Sequence, residues 1–499
     1  MTPGRFFSRL KGAVVMNSNN ISELVLLQAH ALADRIRLRQ VSCREVMQTY
    51  LAHIERFNPQ VNALISLQAP DVLLAQADAR DAELARGEYR GWMHGLPHAI
   101  KDLSLTQGIR TTLGSPLFKD FIPERDGIMV ERIKAAGAII IGKTNTPEFG
   151  LGSQSYNTLF GATGCAYDPS KTAGGSSGGA AAALAMHLVP VADGSDMMGS
   201  LRNPAAFNNI FGFRPSQGRV PFDDSADLFF DQLGYEGPMA RSVRDAALLL
   251  SVQAGGDARA PLSISESGAA FAAPLARDFK GTRLGWLGDF NGYLPMENGV
   301  LSLCERTFAD FESLGCHVES VQPGFAPERL WSSWRTLRHW MVAGSLGAAY
   351  ADPQKRAQLK PEACWEVENG LKLSASEVFA ASVVRSDWYR AISRLFERFD
   401  YLLLPSAQLF PFDKTQPWPT SIEGVSMDTY HRWMEVVIPG TLSGCPVASV
   451  QAGFNAQGLP MGLQIIGRHQ ADFAVLQLAH AYEQASRWFE RCPSPLLGL

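Results

Sequence analysis

The chain has 499 residues with 45 Lys+Arg against 49 Asp+Glu, a formal net charge of −4 that excludes a nucleic-acid binder resting on bulk basic charge. Hydrophobic residues at 46% and charged ones at 19% describe an ordinary soluble globule and not a disordered or fibrous chain. No apolar run approaches the roughly 18 residues of a membrane span, and the seven cysteines, scattered and never in a C-x-x-C pair, read as reduced, mostly buried thiols and not as a disulfide framework or zinc site.

In chain order, residues 1–20 read as a leader ahead of the fold, either disordered or lying upstream of a true start at Met16. Arg5, Arg9 and Lys11 are followed by too few apolar residues for a secretory signal, which makes the expected location cytoplasmic. An amphipathic helix is predicted from about Ile21 to Leu38, and Ser42-x-x-Glu45 announces a second ahead of Val46, Tyr50, Leu51 and Ile54. A third runs from about Asp71 to Arg86 and stops near Gly87. Short apolar runs then alternate with helical patterns: Leu96 to Ile100, Ala138 to Ile141, Leu188 to Ala192, Leu284 to Leu287, Tyr401 to Leu404, Val447 to Val450 and Leu463 to Ile466. Continuous apolar strands between helices imply a mixed or parallel sheet covered on both faces. From about Arg329 to Trp433 the composition changes, with seven of the ten tryptophans in helical and proline-rich pieces. That region reads either as the core of a helical subdomain or as a cap shaping an apolar substrate pocket.

Three segments carry candidate chemistry. Gly174-Gly175-Ser176-Ser177-Gly178-Gly179 feeds a helix of alanines, a loop able to present free backbone N–H groups at a helix N-terminus. Gly194-Ser195-Asp196-Met197-Met198-Gly199-Ser200 places a serine after a run of amides that can converge on a developing oxyanion, with Asp196 and Arg202 placed to pair and brace the loop. Leu96 to Asp102 is an apolar strand ending in Lys101 and Asp102, whose side chains leave on opposite faces. A lone lysine is usually a surface charge; acting as a base near neutrality requires a fall of about 3 units from its ordinary pKa, which burial can supply.

Other motifs fail on context. Gly174-x-Ser176-x-Gly178 matches a nucleophile elbow, but none of the late histidines, His431, His469 and His480, carries a local signature. Ser8-x-x-Lys11 lies in the leader, and Gly95 and Pro97 argue against the helix that would align His94 with His98 on a metal. No dinucleotide, Walker A or H-E-x-x-H pattern occurs.

Together the segments resemble the amidase signature family. The likeness rests on Gly95 to Asp102, Gly142 to Gly150, Gly174 to Gly179, Gly194 to Pro204, Gly212-Phe213-Arg214-Pro215, Pro439-Gly440-Thr441 and Gly458 to Gln464, and spans most of the chain from about residue 20. It implies an α/β fold with a large mixed sheet covered by helices on both faces and a Trp-rich, cap-like helical insertion. The expected domain is residues 21–499, with a signature core at about 90–220 and a substrate-shaping region at about 325–435.

The resemblance further implies a Ser, cis-Ser, Lys triad, with Ser200 as nucleophile, Ser176 as bridging serine after a cis Gly175-Ser176 bond, and Lys101 as base. The N–H groups of Met197, Met198, Gly199 and Ser200 would hold the oxyanion, with Asp196, Arg202 and Gly175 as structural support. No cofactor or metal is implied; the expected partner is a small-molecule amide substrate, with no nucleic acid and no membrane, and a homodimer is compatible with the family. The leading expectation is an amidase acting on a linear carboxamide, or an ester, through an acyl-enzyme, with apolar or aromatic-bearing substrates favoured by the tryptophans. The alternatives are a catalytically silent binding protein on the same scaffold and a glutaminase subunit of a tRNA-dependent amidotransferase. Glutaminase subunits of that kind usually carry Asp-Glu-Phe where this chain has Thr146-Pro147-Glu148-Phe149. Met197-Met198 stands where many members have Thr-Gly, and Asp193 and Asn203 are also unusual in their places, with no physical account from sequence.

Overall fold

The apolar runs become strands of two sheets in the computed structural model, which describes residues 21–499. The leader, with Ser8-x-x-Lys11 and Met16, lies outside the described residues. A three-stranded sheet is formed by β1 (Leu64–Ile65), β2 (Pro97–Lys101) and β3 (Ile139–Thr144), with β3 central, parallel to β2 and antiparallel to β1. The strands of the larger sheet are β4 (Val191–Asp196), β5 (Phe211–Arg214), β6 (Tyr235–Ala240), β7 (Arg283–Trp286), β8 (His317–Ser320), β9 (Tyr401–Pro405), β10 (Val447–Phe454) and β11 (Pro460–Ile466). Their order is β8-β7-β9-β11-β10-β5-β6-β4. The β8/β7 and β7/β9 pairs are parallel and the rest antiparallel, so the large sheet is mixed, as expected.

Two differences from the sequence reading have clear causes. The helix expected from Ile21 to Leu38 is two helices, Glu23–Leu26 and Ala29–Arg37, because Leu27 is extended and the Asp245 carboxylate accepts the N–H groups of Ala29 (2.8 Å) and His30 (3.0 Å). A distant side chain caps a helix whose apolar periodicity runs on through the break. The strand expected at Leu188 to Ala192 instead starts after Pro190, which has no N–H for a ladder, and runs to Asp196. The second helix starts as read, with Ser42 accepting the Glu45 N–H at 3.0 Å.

The alanine-rich helix Gly178–Ala185 is buried throughout and packs on β3 and β4. A β-carbon on Gly179 would lie 2.3 Å from the Asn145 nitrogen and 2.6 Å from its carbonyl oxygen, so only hydrogen permits this approach. Gly179→Ala is expected to cost at least the ~1–3 kcal/mol of an overpacked core. The check is a lower urea midpoint with an unchanged slope.

The tryptophan-rich region is largely three helices, Pro327–Ala351, Pro361–Gly370 and Ala375–Leu395. Trp331, Trp334, Trp388 and Trp433 are buried, which favours the core-packing reading for those four. All seven cysteines are free thiols, five of them buried. Among the described residues no helix is long and apolar enough to cross a membrane.

Candidate active site

Strand β2 ends by carrying Lys101 into the interior, where the residue is wholly buried. Its Nζ lies 2.8 Å from Ser176 Oγ, 2.8 Å from Ser177 Oγ, 3.0 Å from Ser195 Oγ and 3.3 Å from the Ser195 carbonyl. Burial lowers the lysine pKa to about 7, against the opposing pull of the Asp193, Asp196 and Glu236 carboxylates. Asp102, on the other face, accepts the N–H and hydroxyl of Thr112.

Ser176 follows a cis peptide bond from Gly175, as expected. The loop around that bond is held by side chains from elsewhere in the chain. Asn203 Oδ1 accepts the Gly175 N–H at 3.1 Å, and Ser155 Oγ donates to the Ser176 carbonyl at 3.1 Å while accepting the Gly178 N–H at 3.0 Å. This accounts for Asn203, whose side-chain oxygen takes the amide next to the cis bond.

Ser200 lies in the same place: its carbonyl accepts the Ser177 N–H at 3.3 Å. Its hydroxyl has no hydrogen-bond partner among the described residues. The preceding loop is organised by Asp196. Its carboxylate accepts from the N–H groups of Gly199 (2.8 Å) and Leu201 (3.1 Å) and from Arg202 Nε and Nη2 (both 2.9 Å). Arg202 spends its other donors on the Val437 carbonyl, Gln464 and Thr441, so all five guanidinium N–H groups are satisfied. Burial alone would raise the Asp196 pKa, but Arg202 and Arg214 hold the carboxyl well below the usual range. The expected bracing pair is therefore present, and it is fully buried.

One of the four expected oxyanion donors has an internal partner. The Gly199 N–H is committed to Asp196, which leaves the amides of Met197, Met198 and Ser200 without a partner among the described residues. The left-handed conformation in the loop falls on Gly199, at φ +77°, and neither methionine adopts it, so Met197-Met198 is accommodated without backbone strain. Met198 is buried, whereas Met197 is half-buried with its sulfur 3.1 Å from Arg338 Nη1.

Arg338 belongs to a buried polar cluster that sequence reading missed. Glu366 accepts from Arg338 Nε (2.6 Å), Tyr430 OH (2.6 Å) and His339 Nδ1, and Arg338 Nη2 donates to Tyr430 OH at 2.8 Å. Burial would raise the Glu366 pKa, but Arg338, His339 and His431 hold it well below its ordinary value. Trp334, Trp365 and Trp418 pack on this cluster through Arg338, His339 and Tyr430. A second buried lysine, Lys143, donates to the Ser104 carbonyl at 2.7 Å and Thr106 Oγ1 at 2.8 Å. The lysine hydroxyl partners Ser177 and Ser195 were also missed, although both sit inside the serine- and glycine-rich motifs. Among the described residues no group of three His, Cys, Asp or Glu side chains is placed to hold a metal.

The fold thus brings together a buried lysine, the serine that follows the cis bond and a serine at the end of a carboxylate-braced amide loop. Residues 45–476 match the Amidase family model, and the chain belongs to that family. It is 31% identical to an acylamidase of Rhodococcus erythropolis over 94% of this chain and 98% of that protein. It is 33% identical to a glutamyl-tRNA(Gln) amidotransferase subunit of Ralstonia nicotianae over 93% of this chain and 98% of that protein. Among solved structures it is similar to a bacterial aryl acylamidase of the amidase signature family, with a TM-score of 0.88 and 31% identity over 95% of this chain and 99% of the other. The protein is an amidase of α/β fold acting on carboxamides.

Proposed function

We propose that the amidase reaction proceeds through an acyl-enzyme on Ser200, with Ser176 relaying the proton and Lys101 as base. The observation that carries this reading is the 2.8 Å contact between the wholly buried Lys101 amine and the hydroxyl of the cis-linked Ser176. A neutral amine has two N–H donors and one lone pair. The Ser195 carbonyl can only accept, so it takes an N–H, and the lone pair is available to the Ser176 O–H. Ser200 Oγ attacks the amide carbonyl as its proton passes to Ser176 and the Ser176 proton passes to Lys101. The serine-to-serine contact closes when substrate arrives, as catalytic hydrogen bonds often do. The amides of Met197, Met198 and Ser200 face the carbonyl oxygen as it gains charge. Lys101 then returns its proton through Ser176 to the leaving amine, and water releases the acyl group.

For substrate we infer an N-acyl arylamide, supported by the likeness to an acylamidase and an aryl acylamidase and by the aromatic cluster near Met197. The test is hydrolysis of para-nitroacetanilide beside acetamide and glutamine, with peptide mapping of a fluorophosphonate adduct. Turnover of the anilide and an adduct on Ser200 are expected; turnover of acetamide alone would end the arylamide reading. The alternative amidotransferase reading draws on the 33% identity to the Ralstonia nicotianae protein, a likeness no stronger than that to the acylamidase. It predicts glutaminase activity that depends on a partner protein.

Because the neutral amine is the working form, kcat/KM is expected to rise through about pH 7 and level off above it. Below the midpoint the fall is about tenfold per pH unit. A profile flat from pH 5 to pH 9, measured under first-order conditions, would remove Lys101 as the base.

A further inference from the structure

Strands β2 and β4 run side by side, yet no main-chain ladder joins them. The Lys101 N–H, which faces β4, donates instead to Asp193 Oδ2 at 3.1 Å. The other oxygen, Asp193 Oδ1, accepts from His98 Nε2 at 3.0 Å. Both side chains are fully buried, and His98 stands three residues before Lys101 on the same strand. The carboxylate thus grips β2 at two points and seats the lysine that reaches Ser176. Since Asp193 accepts at both oxygens, His98 presents its Nε2–H, and its Nδ1 is buried without a partner among the described residues.

We propose that Asp193, held in orientation by His98, is the positioning residue for Lys101, fixing where the amine sits and setting by its negative charge the pH at which that amine is free to accept a proton. The proposal rests on the reading of Lys101 as the base. It gives a role to the aspartate that stands in an unusual place in the serine loop motif.

The charged and titratable groups around Lys101 are few. On β2 they are His98 and Asp102, and on β4 Asp193 and Asp196, the latter already paired with Arg202 and Arg214. On β6 there is Glu236, which accepts the Ser104 hydroxyl at 2.6 Å, and on β3 there is Lys143. Of the carboxylates that oppose the effect of burial on the lysine, Asp193 is the foremost. Removing its charge therefore makes the ammonium less favourable and moves the protonation midpoint of Lys101 to lower pH.

The test is a direct titration of the full-length protein by NMR of 13Cε-labelled lysine, with the Lys101 signal assigned by its loss in Lys101→Met. Asp193→Asn keeps the shape and an acceptor for the Lys101 N–H but loses the charge; Asp193→Ser serves the same purpose where the amide does not fold. The expected result is a Lys101 midpoint lower by about one unit in the Asp193 variant. His98→Gln, which keeps a donor and leaves the carboxylate charged, should not move the midpoint but should lower kcat. An unmoved midpoint in the Asp193 variant overturns the proposal, and so does an equal shift in His98→Gln. The pH dependence of fluorophosphonate labelling, run in parallel, separates the two readings. If the NMR midpoint moves and the labelling profile does not follow, Asp193 tunes Lys101 but Lys101 is not the base.

Discussion

Replacing Ser200 with alanine is expected to lower kcat by on the order of 10⁶ and to abolish the fluorophosphonate adduct, with unfolding close to that of the parent. Ser200 Oγ has no hydrogen-bond partner among the described residues, so its removal breaks no internal bond, and the loss is chemical and not structural. Lys101→Met is expected to lower kcat/KM by about 10²–10⁴, the usual reach of a general base. It also removes the rise of activity through about pH 7, because the titrating group is gone. The loss here has a structural part. Ser176, Ser177 and Ser195 all lose their contact with the amine; Ser177 Oγ keeps its bonds to the Ser195 carbonyl and N–H, whereas the buried Ser176 hydroxyl is left unpaired, at a cost of ~1–3 kcal/mol. Kinetics and denaturation therefore belong on the same samples. The pairing of these variants also tests the nucleophile-elbow reading of Ser176. That reading predicts an adduct on Ser176 that survives in Ser200→Ala, and a single peptide map settles which serine carries the label.

Glu366→Gln is the substitution expected to destabilise the fold most among those far from the serines. The carboxylate neutralises Arg338 in a site where the two side chains are 0% and 4% exposed. Removing one partner of such a pair leaves an uncompensated buried charge and costs ~3–5 kcal/mol, whereas replacing both with apolar groups can be close to neutral. Glu366→Gln combined with Arg338→Met should therefore recover much of the stability lost in the single variant. Urea unfolding of the two single variants, the double variant and the parent gives the coupling energy, and a single variant within about 0.5 kcal/mol of the parent would show that the cluster holds nothing. Met197 adds a functional readout. Its sulfur lies 3.1 Å from Arg338 Nη1, and Met197 stands three residues before Ser200, so loss of Glu366 should also disturb acylation of Ser200.

Much of the site was legible in the residues themselves because its parts answer to local requirements. A helix of glycine and alanine must pack closely, and Gly179 against Asn145 is where it does. A loop of consecutive amides needs one left-handed residue, and glycine occupies it at Gly199. A strand of apolar residues ending in lysine buries that lysine when both faces are covered, which fits its pKa of about 7. The resemblance to the amidase signature family then implied Lys101, Ser176 and Ser200 as the triad, and the cis Gly175-Ser176 bond that the structure contains.

Local pattern thus determined most strand and helix types and the glycine positions, and the ordered motifs gave the resemblance to the amidase signature family, which in turn implied the three residues of the proposed triad. What only tertiary structure decided are the partners of polar groups far apart in sequence. Asp245 breaks the first predicted helix from more than 200 residues away, and the apolar period carries no trace of that carboxylate. Asp196 takes the Gly199 N–H out of the expected oxyanion set, Asn203 takes the Gly175 N–H, and Asp193 replaces a strand neighbour for Lys101. The Arg338, Glu366 and Tyr430 cluster joins three separate segments. The physical reason is common to all of them. Apolar burial has a period that a sequence displays, whereas a hydrogen bond is directional and short-ranged, and its partner is known only when the chain has folded two distant residues to within about 3 Å.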